Sequence, residues 1–187
     1  AAYRQLGSFS KSGVMRPFDQ QRDGFVPREG LALLVLENEK MARRRGAKML
    51  ARVAGTAMNA DATAMTSMCP GGQSIALAIE NALRNAGNPP VQYVNAHGTA
   101  TRSNDEIEAR ALELCIHYGV LREDVAVSST KPLSGHWMGA AGALEAVLSI
   151  AAMHEGFAPS TLNLKQRDAG VQLNLVAERG LETSLDT

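Results

Sequence analysis

Two apolar segments that each break into a turn with a histidine constrain the fold of this chain most. The first segment, 91–95, continues into a Gly- and Thr-rich turn that carries His97. The second, 125–128, continues into a turn that carries Lys131 and His136. Short apolar runs bounded by turn residues are typical of buried strands. Loops that follow strands in α/β folds carry ligands and chemistry, so we expect the two turns to form one composite site.

Strands and helices alternate along the second half of the sequence. A strand over 91–95 precedes a helix over 105–118, and a strand over 125–128 precedes a helix over 137–154. A last strand is predicted around 171–176. This alternation predicts a layered α/β fold, with a mixed or parallel sheet and helices on its faces.

The first half of the sequence is less regular. After a loop that ends near Gly30, the continuous apolar run 31–36 predicts a strand that is buried on both faces. A helix over 37–45 and a second strand over 48–56 follow, and Gly71-Gly72 opens another helix. We expect one domain, with residues 1–90 as connecting loop, strands and helix, and residues 91–187 as its second half.

Composition excludes several classes of protein. Basic and acidic residues balance at 19 each, which gives no argument for a nucleic-acid or membrane partner. No apolar run reaches the roughly 18 to 20 residues of a membrane-spanning helix. The first residues show no basic-then-apolar leader pattern. Two cysteines make no disulfide framework and suit a reducing compartment, so we expect a cytoplasmic location.

The helix after His136 is apolar on every side, which predicts a central position in the fold. Glu145 is its only acidic residue before the last turn, and a buried carboxylate needs a partner, for which Lys131 is the nearest candidate. The alternative is that Glu145 lies on a small exposed edge.

His136 precedes the helix, where the dipole and a nearby lysine disfavour imidazolium. A neutral imidazole there can donate a hydrogen bond to a developing enolate.

Two motifs resemble those of the β-ketoacyl-acyl carrier protein synthases. The first reads Asn95-Ala96-His97-Gly98-Thr99-Ala100-Thr101, with Asp105 and Glu108 after it. The second reads Ser129-Thr130-Lys131, followed by Gly135-His136 and Gly139-Ala140-Ala141-Gly142. Residues 16–30 and 158–163 are similar to the family segments before and after these motifs. The resemblance implies the thiolase-like fold and an elongating synthase of fatty-acid or type II polyketide synthesis.

By this resemblance, His97 and His136 hydrogen-bond the thioester carbonyl of a malonyl-carrier and stabilise the enolate that forms as carbon dioxide leaves. Lys131 holds the network and keeps the histidines in their protonation state, with Glu145 as its partner. The reaction implied is a decarboxylative Claisen condensation of the malonyl-carrier with an acyl thioester. We therefore expect an acyltransferase.

The resemblance also assigns supporting positions. Thr99 and Thr101 are expected to contact the phosphopantetheine arm of the carrier protein. Asn95, Asp105 and Glu108 are expected to support the site; the two carboxylates fall in the first turns of a helix, where they complement its dipole or hold the His97 loop.

The partners implied are an acyl carrier protein, its malonyl and acyl thioesters, and a second subunit in a homo- or heterodimer. No cofactor is expected beyond the phosphopantetheine that carries the substrates. No metal is expected either, because the histidines and cysteines lack a short ligand pair.

The sequence departs from the family pattern in two places. The family's nucleophilic cysteine lies at a strand-to-helix elbow, whereas Cys69 is in a turn-rich loop and Cys115 is in the middle of a predicted helix. We expect both to be structural and the catalytic cysteine to lie outside this chain. The sequence also lacks the family's closing Phe-Gly-Phe-Gly-Gly loop. We therefore expect the C-terminal part of a ketosynthase, without its last strands and inactive in isolation.

Two alternatives remain open. A noncatalytic partner subunit of the chain-length-factor type is disfavoured by the retention of both histidines and Lys131. A thiolase-like enzyme acting on coenzyme A esters is disfavoured by the Lys131–His136 motif.

Overall fold

A computed structural model describes residues 2–64 and 67–187 of the chain. Its helices and strands, in chain order, are α1 (Ala2–Gln5), α2 (Glu39–Arg44), α3 (Gln73–Asn85), β1 (Tyr93–Asn95), α4 (Arg102–His117), β2 (Ala126–Ser128), α5 (Lys131–Ser134), α6 (Ala141–Glu155), β3 (Phe157–Ala158) and β4 (Leu181–Glu182). A 3₁₀ turn over Met138–Ala140 leads into α6.

The centre of the fold is the parallel pair β1–β2, as the sequence predicts. Tyr93 lies opposite Ala126, and Asn95 lies opposite Ser128. The predicted strand over 171–176 runs along the other side of β2, where the Val127 N–H donates to the Asn174 carbonyl at 3.0 Å. The segment forms a parallel bridge to β2 between Val127 and Leu175, and its Val176 carbonyl accepts the Thr161 N–H at 2.8 Å, but it is not an extended strand.

Helix α4 packs on α3 and covers the central pair. Its buried face includes Ile107, Leu112 and Cys115, and the last two join Val127 and Phe18 in the main core. At Gly72 the two helices approach so closely that a Cβ would lie 2.8 Å from the Ala111 nitrogen, and φ there is +74°. Glycine is therefore required at this crossing.

Two predicted strands of the first half are not strands in the structure. Residues 31–36 and 48–56 are largely exposed, with Leu33 at 80% and Val35 at 94%. Apolar composition alone does not make a strand; a neighbouring strand must accept its hydrogen bonds. Within 2–64 and 67–187, neither segment has such a neighbour.

The helix boundaries and the position of α6 also differ from prediction. Helix α4 begins at Arg102, three residues before the predicted start, so Asp105 still lies in its first turn. Helix α6 begins after the 3₁₀ turn, and only Ala141 and Ala152 of it are buried. It is therefore not enclosed on every side as its composition predicts.

None of the helices in the described part of the chain is long and apolar enough to cross a membrane.

Candidate active site

The site forms where β1 and β2 end side by side. Because the pair is parallel, the turn after β1, residues 97–101 (hereafter the His97 turn), lies beside α5 after β2. The centroids of the His97 and His136 rings are 5.6 Å apart, and the ring planes lie 83° to each other. The structure thus brings both histidines together.

Lys131 lies between the two strand ends and contacts both His97 and α6. Its side chain is 1% exposed. The Nζ group lies 3.2 Å from His97 Nδ1 and donates to the His97 carbonyl at 2.5 Å. It also forms an ion pair with Glu145, whose side chain is 17% exposed. A buried ammonium with a carboxylate and two further acceptors has the partners that offset its desolvation.

These contacts define the tautomer of each histidine. An ammonium group is a donor only, so His97 Nδ1 beside Lys131 is the accepting nitrogen. The Met138 N–H donates to His136 Nδ1 at 3.2 Å, so this nitrogen is also unprotonated. Both neutral rings therefore carry their proton on Nε2, which makes Nε2–H the available donor of each.

Burial and charge keep both rings neutral. Desolvation lowers the pKa of His97 to about 4, and the positive charge of Lys131 acts in the same direction, as a second proton on His136 would. His97 keeps an exposed edge, while its Nδ1 side faces the buried lysine. Desolvation also lowers the pKa of His136, with Lys131 as the next cause. Neutral donors of this kind can stabilise an oxyanion without transferring a proton to it.

The segment 25–28 holds His136 from the opposite side. The His136 N–H donates to the Val26 carbonyl at 2.9 Å, and the Arg28 N–H donates to the His136 carbonyl at 3.1 Å. The Phe25 ring meets the imidazole edge to face, with centroids 4.9 Å apart. Sequence reasoning did not assign Phe25 to the site; the only signal was the similarity of residues 16–30 to a family segment.

Two buried carboxylates of α4 hold the His97 turn. Glu108 accepts the N–H groups of His97 at 2.6 Å and Gly98 at 2.8 Å. Asp105 accepts the Ala100 N–H at 3.2 Å. Burial raises the pKa of Glu108 to about 7 and that of Asp105 to about 6. The carboxylates thus contact the backbone of the turn and not the imidazole rings.

The His97 turn also lies against the end of β2. Gly98 has φ of +35°, and a Cβ there would lie 2.5 Å from the Ser129 Cβ, so glycine is required. The Ser129 hydroxyl donates to the Gly98 carbonyl at 2.9 Å. This contact fixes the spacing between the two strand ends.

The remaining predicted residues lie around this centre. Thr99 and Thr101 are hydrogen-bonded to each other through their hydroxyls at 2.9 Å. The Asn95 amide nitrogen lies 3.3 Å from the hydroxyls of both Thr130 and Ser149, and so connects β1 to the end of β2 and to α6. All nine predicted site residues therefore lie on or against the two strand ends.

Comparison with known sequences decides the family. A sequence model described as "Beta-ketoacyl synthase, C-terminal domain" matches residues 50–165, more than half of the chain. The chain belongs to the β-ketoacyl synthase family. This confirms the resemblance found in the two histidine motifs.

Curated members of the β-ketoacyl synthase family are similar over most of the chain. The chain is 42% identical over 174 residues to a 3-oxoacyl-[acyl-carrier-protein] synthase 2 of Coxiella burnetii. The aligned residues are 92% of this chain and 42% of that protein. It is 46% identical over 161 residues to a mitochondrial 3-oxoacyl-[acyl-carrier-protein] synthase of Arabidopsis thaliana, covering 85% of this chain and 35% of that protein. The chain spans about two fifths of the length of these relatives.

Solved ketosynthase structures share the fold. One is a type II PKS acyl-carrier protein in complex with its ketosynthase bound to the hexaketide. It superposes on this chain with a TM-score of 0.92 and is 29% identical in sequence, and the match covers 98% of this chain and 47% of that chain. The ishigamide ketosynthase/chain length factor superposes with a TM-score of 0.88 and is 34% identical in sequence. This match covers 98% of this chain and 44% of that chain. The prediction of a thiolase-like α/β fold is confirmed.

Neither cysteine of the chain lies among the site residues described above. Cys115 is 2% exposed in the core, and burial raises the pKa of its thiol to about 11, which removes the thiolate a nucleophile requires. The Cys69 thiol lies 3.2 Å from the Gln73 side-chain oxygen at the start of α3.

In residues 2–64 and 67–187, no three His, Cys, Asp or Glu side chains are grouped to hold a metal ion.

We expect His97 to stay neutral over the working pH range and to titrate near pH 4, against 6.5 for an ordinary histidine. Because the pKa is lowered on folding, the unfolded chain binds this proton first, and the free energy of unfolding falls as pH drops from 6.5 through about 4. Histidine-selective ¹⁵N NMR against pH measures the midpoint. A His97→Asn variant should lose this part of the pH dependence. A His97 midpoint at or above 6.5 would contradict the desolvated site.

Proposed function

We propose that this chain is the C-terminal part of a β-ketoacyl-acyl carrier protein synthase that condenses a malonyl-carrier with an acyl thioester. The observation that carries the proposal is the pair of neutral Nε2–H donors on rings 5.6 Å apart, with Lys131 fixed beside one of them. The names of the curated relatives, 3-oxoacyl-[acyl-carrier-protein] synthases, support the same reaction.

In the first step the bond between C2 and the carboxylate of the malonyl thioester breaks. Carbon dioxide leaves, and the electron pair moves into an enolate whose charge collects on the thioester oxygen. His97 and His136 donate their Nε2–H groups to that oxygen. Because the two donors are already oriented, they stabilise the enolate without reorganisation, by several kcal/mol (about 3 for one donor).

In the second step C2 of the enolate attacks the carbonyl of an acyl group held as a cysteine thioester. The tetrahedral intermediate collapses and expels the cysteine thiolate, and the product is a β-ketoacyl thioester on the carrier. The family resemblance supplies this cysteine, which we expect outside the present chain. Lys131 and Glu145 hold His97 for both steps, while Asn95, Asp105 and Glu108 hold the backbone around it.

Substrates reach this site on the phosphopantetheine arm of an acyl carrier protein. Thr99 and Thr101 are the residues that we propose to contact the arm, since both hydroxyls lie in the His97 turn. A solved neighbour with a TM-score of 0.92 is a ketosynthase in complex with its acyl-carrier protein, which supports a carrier protein as partner here. We propose a homo- or heterodimer in the cytoplasm, where the two free thiols would stay reduced.

Replacing Thr101 with valine is expected to raise KM for the malonyl-carrier by about 2- to 10-fold and to leave kcat within twofold. The change keeps the shape of the side chain and removes one hydrogen bond, which contributes about 0.5 to 1.5 kcal/mol. Steady-state carbon dioxide release measures both constants. Thr183→Val, at a threonine outside the site, is the control. An unchanged KM would remove Thr101 from the binding surface.

The test of the proposed function uses the completed enzyme, meaning this chain joined to the part of the Coxiella relative that it does not match. With a malonyl-carrier and an acyl donor, the completed enzyme is expected to release carbon dioxide and form one β-ketoacyl product per turnover. Mass spectrometry of the carrier protein identifies the product. No release from a folded completed enzyme would contradict the proposal.

A noncatalytic chain-length-factor role is the second candidate, because a matched structure carries that name beside the ketosynthase. It predicts no release from the completed enzyme alone and altered product length when a separate ketosynthase is added. The neutral pair and the buried lysine favour the catalytic role.

A further inference from the structure

Arg22 is a buried cation that the mechanism above does not use. Its side chain is 3% exposed and lies in the loop that precedes Phe25. Removing a guanidinium from water is unfavourable unless carboxylates and carbonyls replace the water. The partners of Arg22 therefore indicate what this burial achieves.

The guanidinium joins three separate segments of the chain. One terminal nitrogen, Nη1, donates to the Asp19 carbonyl at 3.0 Å and to the Asp168 carboxylate at 2.5 Å. The other, Nη2, donates to the Arg102 carbonyl at 3.2 Å. Arg102 is the first residue of α4 and directly follows the His97 turn. Arg22 therefore holds the point at which the turn becomes helix.

The third nitrogen faces Asp105. Arg22 Nε is buried, lacks a hydrogen-bond partner among the described residues, and lies 3.9 Å from Asp105 Oδ2. Asp105 is fully buried and accepts N–H groups from Phe18 at 2.9 Å and Ala100 at 3.2 Å. Ala100 has a φ of 62°, a conformation that a non-glycine residue adopts only where its surroundings hold it.

Charge explains why a cation is needed at this place. Asp105 and Glu108 are both buried on one face of α4, and the negative charge of Asp105 raises the pKa of Glu108 further. The charged groups that face Asp105 are Arg22 from the N-terminal loop and Glu108 from its own helix. Lys131 offsets Glu108, and Arg22 offsets Asp105.

We propose that Arg22 is a positioning residue: through Asp105 and the Arg102 carbonyl it fixes the His97 turn, and with it both an enolate donor and the threonines of the substrate arm. This inference rests on the proposed function. It assigns Arg22 no contact with substrate. Its effect on the reaction passes entirely through the geometry of residues 97–101.

The first experiment measures carbon dioxide release by the completed enzyme. Arg22→Met is expected to lower kcat/KM by about 10- to 100-fold, the size of effect that a displacement of about 1 Å produces. Arg22→Lys keeps the charge near Asp105 and is expected to recover part of the loss. Arg110→Met is the matched control, since Arg110 is an exposed arginine on α4 paired with Glu106. Equal rates in Arg22→Met and wild type would overturn the proposal.

A double-mutant cycle separates positioning from stability. If Arg22 acts through Asp105, the losses in kcat/KM from Arg22→Met and Asp105→Asn are expected to be strongly non-additive. Asp168→Asn removes a different partner of Arg22 and is expected to lower Tm with kcat unchanged. Additive losses in the cycle would overturn the proposal. If Arg22→Met does not fold, the same cycle is run with Arg22→Lys.

Histidine-selective NMR provides a readout that does not need activity. In the completed enzyme, Arg22→Met or Arg22→Lys is expected to shift the His97 ring resonances more than those of His136, whose backbone is bonded to segment 25–28. Unshifted His97 resonances would overturn the proposal. If wild type releases no carbon dioxide, the proposed function fails, and the NMR result still decides whether Arg22 fixes the His97 turn.

Discussion

Replacing His136 with alanine is expected to slow carbon dioxide release from the malonyl-carrier by about 100- to 1000-fold, or about 3 to 4 kcal/mol in the activation free energy. The loss should fall on kcat, because the hydrogen bond to the thioester oxygen strengthens as the enolate forms. His136 is 7% exposed and its Nδ1 is already occupied by the Met138 N–H, so the variant removes one oriented Nε2–H donor.

Single-turnover release of labelled carbon dioxide by the completed enzyme measures this effect. His154→Ala is the matched control, since His154 is an exposed histidine near the end of α6 that contacts the Leu50 carbonyl. The control should keep the wild-type rate. His97→Ala should give a loss of similar size, and the double variant should lose less than the product of the two, because both rings donate to one oxygen in the proposed mechanism. A wild-type rate in His136→Ala would exclude His136 as a donor.

Replacing Glu145 with alanine is expected to lower the free energy of unfolding by about 3 kcal/mol, the lower end of the range for breaking a buried ion pair. The variant leaves the Lys131 ammonium, 1% exposed, without its carboxylate. Glu145 itself is 17% exposed, and water that reaches it keeps the loss at the lower end.

Urea unfolding of the completed enzyme measures the change. Glu155→Ala, at an exposed position at the end of the same helix, should alter stability by less than about 0.5 kcal/mol. Adding Lys131→Met to Glu145→Ala should restore much of the stability, because no buried charge then remains. The double variant should stay inactive, since His97 loses the group that fixes its tautomer. A stable, fully active Glu145→Ala variant would show that the pair contributes little.

The strand ends and their histidines could be predicted because the signals are local. Apolar runs at 91–95 and 125–128, each followed by a turn, determine where β1 and β2 end, and a parallel pair then brings His97 beside Lys131. The prediction of a strand over 31–36 was wrong because a strand needs a neighbouring strand from elsewhere in the chain. The residues of the run itself do not indicate whether such a neighbour exists.

The protonation state of His136 was predicted only in part. The expected effect of Lys131 on the pKa of His136 is present, but burial, which the sequence did not indicate, is the first cause of the lowered pKa. The tautomer depends on the Met138 N–H, which donates to Nδ1 from a non-glycine residue with a φ of 50°. A methionine in the sequence gives no sign of that conformation, nor does an arginine at position 22 reveal a contact with residues 102 and 168.

The exposed run 31–36 has a consequence for handling this molecule. Six consecutive aliphatic residues that lie outside any strand and are largely exposed form a segment on which other chains can add strands edge to edge. We therefore expect self-association of the chain to depend on residues 31–36, which are not part of the histidine site. A lysine introduced at Leu33 or Val35 would discourage fibril-like association while leaving the chemistry of the imidazoles untouched.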